Sequence, residues 1–92
     1  MATKNIVFEV TGAEPNWIAV GADDITLVNG RGSIQLETSK THRLFWWLAG
    51  DPGERIDITG KTEDDVEVVK GGSAVPRDED TGGGMKKFEL KE

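Results

Sequence analysis

The stretch THRLFWWLAG, residues 41–50, decides the fold. It sets two tryptophans side by side in an apolar run that ends at Gly50, Asp51, Pro52 and Gly53. On a strand, neighbouring side chains point to opposite faces, so Trp46 and Trp47 cannot both enter one core. One face carries His42, Leu44, Trp46 and Leu48; the other carries Arg43, Phe45, Trp47 and Ala49. The first is apolar from Leu44 to Leu48 and is the better core face, with Trp46 as its anchor. The second still displays two aromatic rings.

The strand reading extends outward from there. Ser33–Ala49 is the longest stretch free of glycine and proline, yet its period is two, not that of a helix. In SIQLET, Ile34 and Leu36 share one face, with Ser33, Gln35 and Glu37 on the other. The same test picks out 5–11 (Ile6, Phe8 and Val10 inward), 16–21, 24–28 (Ile25 and Leu27) and 55–60 (Ile56 and Ile58). It also picks out 65–70 (Val66 and Val68) and 86–91 (Phe88 and Leu90). With 33–38 and 41–49 that makes eight expected strands and no helix.

The connections agree. Asn29-Gly30 between apolar runs signals a tight hairpin, because both residues tolerate positive φ. Pro52 fixes its own φ, and Gly53 supplies the positive φ that a type II turn needs next. Residues 71–84, GGSAVPRDEDTGGG, have no periodicity and are expected to form one long, flexible glycine-rich and acidic loop. No internal repeat is evident.

Eight short strands with turn signals between them point to a single domain over residues 1–92. The expected fold class is all-β, a small antiparallel β-sandwich of seven to eight strands with no substantial helix. A strand ending in Trp46-Trp47-Leu48-Ala49-Gly50, a Pro-Gly turn and a return strand resembles the late hairpin of immunoglobulin-like sandwiches. That implies an immunoglobulin-like general plan. The cysteine pair flanking a central tryptophan that marks antibody domains is absent, since the chain has no cysteine.

Composition narrows the function. Ninety-two residues make one small core, and without cysteine neither disulfides nor zinc–thiolate sites are available. Seventeen acidic against eleven basic residues give a formal charge of −6, which opposes non-specific binding to nucleic acid. The N-terminal apolar run, Ile6-Val7-Phe8, is far short of a signal-peptide core or of the roughly 20 residues a membrane helix needs. A soluble chain is expected, without nucleic-acid or membrane partners, and cytoplasmic by default.

Catalytic chemistry finds no support. His42 is the only histidine, and there is no G-x-S-x-G turn to build a triad around it. Residues 53–62 end in Gly60-Lys61-Thr62, but position 55 is Arg where a phosphate loop needs glycine, and the run alternates like a strand. Residues 78–89 echo a calcium loop, with Asp78, Asp80, Gly83 and Glu89 in place. Gly82 and Lys86, however, occupy positions that need oxygen ligands. A looser calcium site on Asp78, Glu79 and Asp80, with the Glu63–Asp65 cluster, is an alternative to a solvated acidic loop. Asp23 and Asp24 read as turn chemistry. No catalytic residue, metal ligand or cofactor is expected.

The expected role is a non-catalytic binding or structural module, its contacts made by Arg43, Phe45 and Trp47. Burying a large aromatic ring is worth about 2–3 kcal/mol, so Phe45 and Trp47 are expected to take cover from loop 71–84 or from segment 13–17. Otherwise they form an exposed aromatic surface beside Arg43, over which the loop can close. A third possibility is a bulge that puts both tryptophans on one side. The expected partner is another protein or a larger assembly, and the alternative is a carbohydrate or other small ligand stacked on the rings. Outward Lys86, Lys87 and Lys91 discourage edge-to-edge pairing and favour a monomer.

Overall fold

The structure, a computed structural model, describes residues 2–90. Eight strands run β1 (Thr3–Gly12), β2 (Trp17–Val20), β3 (Asp23–Asp24), β4 (Arg31–Glu37), β5 (Lys40–Ala49), β6 (Arg55–Thr62), β7 (Glu67–Ala74) and β8 (Thr81–Leu90). They form two antiparallel four-stranded sheets, ordered β4-β1-β6-β7 and β3-β2-β5-β8. Among the described residues there is no helix. The chain is an all-β sandwich.

Period-two alternation explains most of the core. Ile6 and Phe8, Leu44, Trp46 and Leu48, and Ile56 and Ile58 are buried, and so are Phe88 and Leu90. They meet between the sheets in one cluster, within which the rings of Phe8 and Phe88 pack edge to face, 6.5 Å apart. Both predicted turns form, but the first closes only the single bridge between Val28 and Arg31 and not a hairpin of the runs 24–28 and 33–38, since β3 and β4 lie in different sheets. Asn29 and Gly30 both take positive φ between Val28 and Arg31. Gly53 sits at φ 93°, and the Glu54 N–H donates to the Asp51 carbonyl across Pro52-Gly53.

The path between sheets departs from the sequence reading. Residues 50–54 do not close a hairpin: β5 belongs to the second sheet and β6 to the first, so this turn crosses the sandwich. Residues 75–80 cross at the same end, and the two crossings are tied together. Gly53 N–H donates to the Val75 carbonyl, Val75 N–H to that of Glu54, and Gly50 N–H to that of Asp80.

Residues 71–84 are not one loop. Gly71–Ala74 complete β7 and Thr81–Gly84 open β8, leaving only 75–80 as connection. The expected strand 24–28 is also shorter. Only Asp23 and Asp24 pair, because Ile25–Leu27 cross from one sheet to the other, with Ile25 buried on the way. The inward residues of 65–70 differ as well. The β6–β7 register slips between Gly60 and Lys61, which face Val69 and Glu67, leaving Val68 as the extra residue of a bulge. Val69 is therefore the fully buried valine, Val68 is half-buried against the core, and Val66 is exposed.

The topology holds a duplication the sequence conceals. β1 and β2 run out through both sheets and β3 and β4 run back; β5–β6 and β7–β8 repeat the course. Exchanging β1–β4 with β5–β8 turns one sheet order into the other, reversed. The two halves are double-length hairpins, joined where β1 pairs with β6 and β2 with β5.

Edge strands β7 and β8 face each other across the open side of the sandwich, and Trp46 closes it. Its ring is 5% exposed, and its Nε1–H donates to Ser73 Oγ at 2.9 Å, linking the sheets. Glycines admit the ring: a Cβ at Gly84 would lie 2.5 Å from Trp46 Cζ2, and one at Gly71 2.9 Å from Cη2. Gly84→Ala is therefore expected to lower stability by about 1–3 kcal/mol through overpacking, read from urea unfolding. An unchanged midpoint would mean that the indole does not fill the seam.

Candidate functional site

The candidate residues Arg43, Phe45 and Trp47 all lie on the outer face of the second sheet, as strand parity requires. Arg43 and Trp47 are exposed and Phe45 is half-buried. Leu44, Trp46 and Leu48, the alternate residues, are buried, so no bulge brings both tryptophans to one side. Residues 71–84 give these rings no lid. Gly82, Gly83 and Gly84 instead pair alongside Leu48, Trp47 and Trp46 as part of β8.

Cover comes from segment 13–17, and it is partial. Trp17 stands directly opposite Trp47 in the β2–β5 ladder. Its ring stacks on Phe45 with centroids 6.2 Å apart and planes 22° from parallel. Asn16 anchors the approach: its N–H donates to the Trp47 carbonyl and its Oδ1 accepts from the Ala49 N–H. Trp17 remains 42% exposed and Trp47 43%. The covering residue thus enlarges the aromatic surface.

Two further residues complete the face. Met85 lies opposite Phe45 on β8 and is exposed. Asp24, on β3, accepts a hydrogen bond from Trp17 Nε1 at 2.7 Å. The sequence reading placed Asp24 in a turn, but it is the group that holds Trp17 in orientation. Trp17 was legible as apolar, since 16–21 reads as a strand, but its pairing with Trp47 depends on the register of two strands far apart in sequence. On the other flank of Trp47 stands Gly83, so no side chain covers it there.

Among the described residues, three of the five large apolar side chains left exposed, Trp17, Trp47 and Met85, are on this face. They gather on one sheet face, whereas the other two, Val28 and Val66, lie apart from it. At one end stand Arg43 and Lys87, directly opposite each other in the β5–β8 ladder. The next outward pair, Thr41 and Glu89, is joined by a hydrogen bond of 3.3 Å.

Other candidate chemistry is not assembled. His42 is half-buried, donates Nε2–H to the Glu37 carbonyl at 2.8 Å and packs against Phe88. Asp78, Glu79 and Asp80 are exposed in the 75–80 crossing. Among the described residues, no group of three or more His, Cys, Asp or Glu side chains is placed to hold a metal ion. Lys86 faces the core side of edge strand β8, opposite Leu44, and not outward with Lys87. Lys91 lies outside the described residues.

The geometry assigns the three tryptophans different accessibility. With Trp17 and Trp47 both changed to Phe, acrylamide quenching of the remaining Trp46 emission is expected to fall to a small fraction of the wild-type slope. Quenching as strong as in the wild type would place Trp46 at the surface and undo the face assignment. Comparison of the chain with known protein families, with curated proteins and with solved structures gives no match, so the site stands on its own geometry.

Proposed function

We propose that the chain is a non-catalytic binding module that docks another protein on the outer face of its second sheet. The observation that supports this most is the set of half-exposed rings at Trp17, Phe45 and Trp47, extended by Met85. Rigid rings bind at little cost in conformational entropy, and a neighbouring methionine adapts to the shape of a partner. The immunoglobulin-like plan enters this reading only as two packed antiparallel sheets.

The alternative, a carbohydrate stacked on the rings, is less well served. Sugar recognition needs open ring faces together with free hydrogen-bonding groups beside them. Trp17 and Phe45 occupy one another's faces, and Trp17 Nε1 already donates to Asp24. What remains exposed is mainly apolar, which suits a protein surface. Trp47, open on its Gly83 side, is the residue on which a sugar would be felt first.

A photo-crosslinking residue at position 85 tests the proposal. It is expected to yield a discrete protein adduct that disappears with Trp47→Ala, while the same residue at position 66, exposed on the first sheet's edge hairpin, yields none. Adducts that survive Trp47→Ala would remove the face from consideration. Quenching of Trp47 fluorescence by oligosaccharides would favour the ligand-binding alternative.

A further inference from the structure

The rings on this face account for an apolar contact, but they do not account for Arg43 and Lys87. These cations are cross-strand partners at the end of the aromatic patch. Like charges directly opposite one another destabilise a sheet. The chain has carboxylates to spare, seventeen acidic residues against eleven basic, yet none among the described residues forms an ion pair with either cation. Among the described residues the ion pairs are Arg31–Glu9, Lys40–Glu37, Arg55–Asp57 and Lys61–Asp65. Glu89, two residues beyond Lys87 on the same face, bonds Thr41 and pairs with neither cation. Asp24 and Trp17 occupy each other at the opposite edge.

Resting on the docking face proposed above, we infer that its partner is an acidic–apolar protein segment, whose carboxylate is received between Arg43 and Lys87. Spacing defines the segment further. Arg43 lies two residues from Phe45 on β5, and Lys87 two residues from Met85 on β8. At the rise of a strand, that separates the cations from the apolar patch by about 7 Å. An extended segment with an apolar side chain and an Asp or Glu at positions i and i+2 sets both groups on one face at that distance. Arg43 and Phe45 also border an open depression of about 510 Å³, but Asp23 and Glu37 line it too and Lys87 does not, so the carboxylate is placed between Arg43 and Lys87 and not in that depression. The arginine offers a planar fork that takes a carboxylate through two hydrogen bonds, and the lysine a second charge beside it. The net charge of −6 opposes an acidic partner at long range, so the attraction of Arg43 and Lys87 is a short-range one.

Selection of a displayed library of random twelve-residue peptides on the intact protein tests this. Peptides that lose binding with Trp47→Ala are expected to pair an apolar residue with Asp or Glu two positions away. Their affinity is expected to drop about fivefold for each of Arg43→Glu and Lys87→Glu, and to weaken with added salt. Selection on the double charge-reversal variant is expected to yield Lys or Arg in place of the acids. Both positions are exposed, and Arg43→Glu creates an opposite-charge pair with Lys87, so that variant is expected to melt about 1–4 °C higher while binding less. Face-dependent peptides with no acidic preference would overturn the inference and leave the docking face standing. Peptides indifferent to Trp47→Ala would remove both. Concentration-dependent dimers abolished by Arg43→Glu would make the occupant a second copy of the chain, and would also overturn it.

Discussion

The structure turns on the indole of Trp46. It lies between the sheets at their open side, bonded through Nε1 to Ser73 on the far sheet and flanked by Gly71 and Gly84. A ring of this size is the largest single apolar contribution a domain of ninety-two residues can place in one position, so its burial decides which face of β5 is inside. Once Trp46 is in, Leu44 and Leu48 follow, and Arg43, Phe45 and Trp47 are committed to the outside. The candidate site is thus the complement of the core on the same strand. The same ring also explains why each of the two strands that pass beside it has a glycine against it, Gly71 on β7 and Gly84 on β8.

Features written in neighbouring residues were legible, and features written in distant ones were not. The alternation of Ile34 and Leu36, or of Ile56 and Ile58, is local, and it marked strands and their inner faces directly. Asn29-Gly30 and Pro52-Gly53 state their turn types in their own φ preferences. Gly71, Gly72 and Gly82–Gly84 misled because glycine is depleted in strands, so its presence reads as loop. The reason for Gly71 and Gly84 is a contact with Trp46, which no local pattern announces. The 50–54 turn announced a reversal, but the pairing of β6 with β1, not β5, is a long-range choice. At Val68 a bulge reset the alternation, exchanging which valine of β7 is buried.

The site was legible to the same degree. Parity placed Arg43, Phe45 and Trp47 together on an outward face. Trp17 and Asp24 joined them only through the pairing of β2 with β5 and β3, and Met85 through β8. Each of these additions changes the chemistry. Trp17 converts two isolated rings into a stacked group, and Asp24 fixes that group without a buried, unsatisfied N–H. Met85 lends a flexible border. A surface assembled from four hydrogen-bonded strands of one sheet is set by the fold itself, which would limit the entropy lost in the docking proposed above.

The joint between the two hairpin halves is only Thr38 and Ser39, and both neighbouring strand ends come back to it. Thr38 N–H donates to the Ala2 carbonyl and Ser39 N–H to that of Leu90. The places where β1 starts and β8 stops are therefore adjacent to the place where β4 hands over to β5. A circularly permuted chain, opened at 38–39 and reconnected by a short bridge from Leu90 to Ala2, would retain every ladder in the sandwich. Which half is synthesised first is, for this architecture, a matter of kinetics and not of the final arrangement.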